Sequence, residues 1–142
     1  MKITRHFLIL LLVIGIIAFV SCSTTPGKNI LGKWQGSEAS LKANDSLPLN
    51  SATWEEGVNA LKHTFYTFKR DNTFTLLTEY KAIYRKTSGT WSISKHGKEL
   101  TLVMRDYSVT NKVKLMEISN KKLTWIMNYP FGELSTTFVK VK

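Results

Sequence analysis

From His63 to the C-terminus the polarity of the chain alternates with a period of two, and this limits its fold more than any other feature. Phe74, Leu76, Thr78 and Tyr80 would share one face of a strand, with Thr73, Thr75, Leu77 and Glu79 on the other. Successive side chains of a strand point to opposite faces, so this pattern predicts strands with one face buried. It recurs over Thr64–Lys69, Gly89–Ser94, Glu99–Arg105, Asn111–Ser119 and Leu123–Asn128, and more faintly over Ala82–Lys86. Glu133–Val141 is the last strand, its faces unassigned because Phe138, Val139 and Val141 do not alternate. Only short turns separate these segments: Arg70-Asp71-Asn72, Lys95–Lys98, Asn120-Lys121 and Tyr129-Pro130-Phe131-Gly132. A parallel neighbour needs a crossover of a dozen residues or more, so the strands must run antiparallel in sequence order. About eight strands in that order form an up-and-down meander, whose two free edges vanish if it closes. The expected fold is therefore all-β, an antiparallel barrel of about eight strands.

The part before His63 adds one strand and one helix. Ile30 to Ser37, with Gly32-Lys33-Trp34 inside it, reads as the first strand, Trp34 pointing inward. Ala39 to Asn50 is polar, holds Pro48 and reads as a loop. Thr53-Trp54-Glu55-Glu56 then has the form of a capping box, in which Thr53 and Glu56 each satisfy the other's backbone N–H. Trp54, Val58 and Leu61 recur at i, i+4 and i+7, the apolar face of a short helix between strands one and two. Gly57 weakens that helix by about 1 kcal/mol relative to alanine, so it needs something to pack on. Trp54, Val58 and Leu61 are candidates for a plug, or a movable lid, over the barrel mouth.

Eight strands enclose a space that side chains just fill or that holds one small ligand. Trp34, Phe68, Phe74, Leu76, Trp91, Leu102 and Trp125 are the candidate inward residues that would line such a site. Should the rings meet at the centre, the barrel is solid.

The first 22 residues concern location rather than fold. Lys2 and Arg5 precede an uncharged apolar run from Phe7 to Val20, which ends in small Ser21. A charged start, a short apolar stretch and a small residue before the cut describe a secretory signal. The next residue is Cys22, the single cysteine of the chain. Phe19-Val20-Ser21-Cys22 resembles the lipobox of bacterial lipoproteins, with Phe19 where that pattern prefers leucine. The resemblance implies cleavage after residue 21 and lipidation of Cys22. Ser, Thr, Pro and Gly dominate 22–29, which reads as a tether, with a folded domain over 30–142. Two or more acyl chains hold a protein stably at a bilayer where one does not. Ser23 in place of an aspartate implies transfer to the outer membrane of a bacterial envelope. With one cysteine, no internal disulfide can support the domain.

Gly32-Lys33-Trp34 in the first strand is similar to the Gly-x-Trp of lipocalins. The helix after strand one, the hairpin at Asp71-Asn72-Thr73-Phe74 and the strand Gly89-Thr90-Trp91-Ser92-Ile93 resemble bacterial lipocalin-like lipoproteins. The family pattern places an arginine late in the last strand, across the tryptophan; this chain has Lys140 and Lys142 there. The resemblance implies a calycin-type barrel and a small apolar ligand.

Little else points to chemistry. His63 precedes a strand and His96 sits in a turn, without the spacing of a metal site. No Gly-x-Ser-x-Gly occurs, and the neighbours Glu55 and Glu56 point about 100° apart on a helix. No catalytic residue, metal or cofactor is therefore assigned. The chain carries 20 basic and 10 acidic residues, a balance suited to anionic headgroups or acidic glycans. An exported, tethered domain seldom meets nucleic acid. Lys112, Lys114, Lys121 and Lys122 gather at one hairpin and Lys95 and Lys98 at another, either as a basic rim or as the solvated face of outer strands. The sequence is thus read as a lipid-anchored, non-enzymatic envelope protein that binds a small hydrophobic ligand. The alternative is a filled barrel whose surface binds an envelope protein or a glycan.

Overall fold

The computed structural model describes residues 26–44 and 51–142. Helix α1 covers Pro26–Ile30 and strand β1 Gly32–Ala43, followed by helix α2 over Ser51–Lys62. Seven strands follow: β2 Thr64–Phe68, β3 Thr73–Tyr80, β4 Ile83–Ile93, β5 Glu99–Met104, β6 Val109–Ile118, β7 Lys122–Tyr129 and β8 Gly132–Val141. They pair antiparallel in sequence order, and β8 returns to β1, closing the barrel. The all-β, eight-stranded meander with a helix after strand one is what the alternation predicts.

Three local readings are corrected. Ala39–Ala43 is not a loop: β1 bulges between Gly36 and Glu38 and continues, pairing Ala39 with Thr136 and Ala43 with Gly132. The long β8 supplies a hydrogen-bonding partner that outweighs the polar composition. The faint segment at 82–86 and the strand from Gly89 form one strand, β4. The capping box does not form, because α2 begins at Ser51 and Thr53 lies within it. Glu56 instead turns outward to Lys81 Nζ at 2.6 Å and accepts from the Tyr80 hydroxyl at 3.2 Å. This pair holds the carboxyl below the usual range, chiefly through the hydrogen bond from Lys81.

The closed end is a solid floor. Trp34, Phe68, Phe74, Leu100, Leu102, Leu123, Trp125 and Phe138 are buried there, with Tyr66 at the hub. The Tyr66 ring meets Trp125 edge-on at 5.2 Å and Phe138 edge-on at 5.5 Å, and stacks on Phe68 at 5.9 Å. Such pairs add about 0.5–1.5 kcal/mol each beyond area burial. Helix α1 seals this floor from below. Its last residue, Ile30, is fully buried and accepts the Trp34 indole N–H at 2.6 Å. The four residues before it belong to the stretch read as a tether, and Lys140 donates to the carbonyl of one of them, Asn29, at 3.4 Å. The Lys140 ammonium lies 4.9 Å over the Trp34 ring, so lysine occupies the place where the family pattern has arginine.

Burial pushes the Tyr66 phenol well above its ordinary value, with the nearby Tyr129 adding to the shift. Above pH of about 10 the unfolded chain gives up this proton while the folded one keeps it. Stability contributed by the neutral phenol is then lost as pH rises, approaching about 1.4 kcal/mol per pH unit. Denaturation midpoints measured from pH 9 to 11 should fall more steeply for the parent than for Tyr66→Phe. Parallel curves would contradict the burial of this hydroxyl.

Candidate functional site at the barrel mouth

On the four neighbouring strands β8, β1, β2 and β3 the large inward rings lie at the floor with smaller side chains above them, and this makes the site. Along β2 the inward series is Phe68, Tyr66, Thr64; along β3 it is Phe74, Leu76, Thr78; along β8 it is Phe138, Thr136, Leu134. Along β1 it is Trp34, Gly36 and, past the bulge, Ala39. With alanine, glycine, threonine and leucine above the rings on these four strands, side chains leave part of the upper half unfilled.

Helix α2 roofs this gap. Two contacts fix its C-terminus to the wall: Gln35 Nε2 donates to the Lys62 carbonyl at 2.7 Å, and Thr64 Oγ1 to the Ala60 carbonyl at 3.0 Å. These occupy carbonyls that a helix end leaves without partners. Gly36 lets the helix come close, since a Cβ there would collide with the Leu61 carbonyl oxygen and lie 2.6 Å from Leu61 Cγ. Farther along, the Glu56–Lys81 pair ties α2 to the β3–β4 turn; both side chains are half exposed, so the bond contributes little to stability.

Between α2 and the strands lies a cavity of about 440 Å³. Its roof is Trp54, Gly57, Val58, Ala60 and Leu61, and its walls are Ala39, Thr64, Thr78, Ile83, Arg85, Leu134 and Thr136. The volume falls in the usual range for small-molecule sites, about 300–1,000 Å³, and apolar carbon dominates the lining. A second, larger cavity of about 690 Å³ adjoins it at Thr78 and Arg85. It arises because β4 pairs with β5 only from Gly89 onward, which leaves a slot in the wall beside Thr87, Met104 and Tyr107. Thr87 donates to the Asp106 carboxylate at 2.7 Å on its margin.

The predicted site residues divide accordingly. Trp54, Val58 and Leu61 line the cavity as its roof, half-buried. Leu76 lines the slot. Trp34, Phe68, Phe74, Trp91, Leu102 and Trp125 point inward but pack in the floor; none borders the cavity. Trp91 is tied down by its indole N–H, which donates to the Lys69 carbonyl at 3.2 Å. Residues that sequence reasoning missed are Ala39, Thr64, Ile83, Arg85, Leu134 and Thr136. Thr64 stands four residues mouthward of Phe68, and Arg85 and Ile83 six and eight mouthward of Trp91, so strand parity was the signal available for these three. Ala39 lies past the bulge of β1, where parity from Trp34 is lost. Cys22 lies outside the described residues. Among the described residues no group of three or more His, Cys, Asp or Glu side chains is placed to hold a metal, and no helix is long and apolar enough to cross a membrane.

Comparison with known proteins agrees with this geometry. Nine solved protein chains match the structure. One is a DUF4847 family protein from Bacteroides vulgatus, at a TM-score of 0.51 and 14% identity, covering 78% of this chain and 93% of that one. At that identity the likeness shows the fold alone. No curated protein matches the chain. The sequence pattern of the lipocalin-like domain matches residues 30–125, from the end of α1 into β7, and the chain belongs to that family.

Proposed function

We propose that the chain is a lipid-anchored lipoprotein of the bacterial envelope whose barrel binds a small hydrophobic molecule at its mouth, beneath α2. The observation that carries the binding reading is the apolar cavity of about 440 Å³ above a solid aromatic floor. Burial of apolar ligand surface there would supply about 25 cal/mol per Å² before the cost of immobilisation. Thr64 and Thr78, whose hydroxyls are 3.0 Å apart, offer one polar contact to a ligand that needs it. The role is binding, not catalysis. The envelope and outer-membrane placement rests on the leader, Ser21-Cys22-Ser23 and the acyl chains Cys22 would carry.

A neutral lipophilic dye is expected to bind the purified chain saturably and one to one. Val58→Trp, which puts a ring into the cavity from its roof, should weaken the dye at least about tenfold while leaving the far-ultraviolet spectrum unchanged. Equal binding by the variant, or none by the parent, would contradict the site. The second result would favour a packed module that works through its outer surface.

A further inference from the structure

The two ends of the barrel differ in charge. The closed end is built from the turns β2–β3, β4–β5 and β6–β7 together with α1 and the end of β8. Those turns and α1 carry Lys28, Lys69, Arg70, Lys95, Lys98 and Lys121, all exposed. Among the described residues none of the six is in an ion pair. The carboxylates nearest this end are already engaged. Asp71 accepts from Thr73 Oγ1 at 2.6 Å and from its backbone N–H at 3.0 Å. Glu117 pairs with Lys122 at 3.1 Å, and Glu99 with Lys112 at 3.8 Å. At the mouth the charges nearly balance: Lys42, Lys62, Lys81, Arg85, Lys86 and Arg105 face Glu38, Glu55, Glu56, Glu79, Asp106 and Glu133. The excess of positive charge therefore sits at one pole.

That pole is also where the chain starts its fold. Pro26, the first residue of α1, lies there, four residues after Cys22. Four residues of chain reach at most about 14 Å. We infer that the closed end is a membrane-docking surface: its lysine and arginine ring lies on anionic lipid headgroups and directs the ligand-binding mouth away from the bilayer. Phospholipid headgroups fit this ring because its exposed basic side chains are spread over three separate turns and α1, as a surface of many small anionic groups requires. Each basic residue held near an anionic surface adds to the attraction, and the effect decays within a Debye length of about 8–10 Å. The orientation depends on the lipid-anchor reading above, but the headgroup attraction does not, and neither depends on a ligand in the mouth.

Residues 23–142 hold both helices and every strand of the closed barrel, so they can be tested without acyl chains. Sedimentation with phosphatidylcholine vesicles containing about 30% phosphatidylglycerol should show binding that weakens as salt rises. Pure phosphatidylcholine vesicles should give none. Lys95→Glu/Lys98→Glu/Lys121→Glu should weaken the binding at least about 100-fold, since each lost charge is worth about fivefold. Lys42→Glu/Lys86→Glu/Arg105→Glu makes the same change in net charge at the mouth and should leave binding within about threefold. Equal losses in the two triple variants would show that net charge alone is responsible and would overturn the proposal. Equal binding to both vesicle types, or binding to a soluble acidic polysaccharide without binding to anionic vesicles, would overturn it too. Dye binding at the mouth, measured on the same samples, reports separately on the ligand reading.

Discussion

Replacing Trp34 by alanine is expected to lower the stability of the barrel by about 3–5 kcal/mol, a large share of the 5–15 kcal/mol typical of a domain. The indole is fully buried at the junction of floor, α1 and β8. Its ring fills the base of the barrel, its N–H holds the Ile30 carbonyl, and its face carries the Lys140 ammonium. Alanine leaves a cavity and takes away the indole N–H that the carbonyl of buried Ile30 accepts. The melting temperature should drop on the order of 15 °C. Trp34→Phe keeps most of the volume but not the donor, so it should fall between the two. A loss below about 1 kcal/mol for the alanine variant would show that α1 and the floor are not one cooperative unit.

Gly89→Ala should be nearly as damaging, by about 3 kcal/mol or more, although it adds a single methyl. A Cβ at this position would collide with the Val103 carbonyl oxygen and come within 2.8 Å of the Phe74 ring. Neither can yield easily: Val103 belongs to the β4–β5 ladder, and Phe74 is fully buried. Gly89 marks the point where β4 stops pairing with β5 and begins to open the slot. Gly57→Ala is the informative contrast. A Cβ there meets nothing within 4 Å, and alanine suits a helix better than glycine by up to about 1 kcal/mol. Chemical denaturation of the two variants should therefore give changes of opposite sign, and a loss in both would contradict the open space beneath α2.

The strands were legible because the barrel interior is dry and its exterior wet, so a period of two was imposed on most of the chain. It failed where an inward position serves another purpose. Phe138 is inward and Val139 outward, yet the face of β8 could not be read, because the next inward position holds Lys140, placed there for the Trp34 ring. The upper half of β1 was missed for a different reason. Glu38 to Ala43 is too polar to suggest burial, and its strand form comes from the ladder to β8 past a bulge. Polar stretches carry little trace of partners about ninety residues or more away.

The site was half legible. The apolar face of α2 was visible as helical spacing, and its three residues do line the cavity. The aromatic candidates were visible as inward residues, but size alone does not say whether rings surround a space or fill it. The decisive clue was the change from rings at the floor to smaller side chains above on β1, β2, β3 and β8, as in Phe68, Tyr66, Thr64. Glu56 was read as a cap because its spacing from Thr53 fits one, whereas a lysine across the mouth competes for it at 2.6 Å.

The most direct test of a ligand site under α2 uses the four tryptophans themselves. Trp54 roofs the cavity, whereas Trp34, Trp91 and Trp125 are buried in the floor. Titration with a long-chain alcohol brominated on its tail should quench part of the tryptophan fluorescence saturably, because bromine quenches on close approach. In Trp54→Phe the quenching should vanish, while a lipophilic dye still binds. Full quenching in Trp54→Phe would place the ligand among the floor rings and contradict the account.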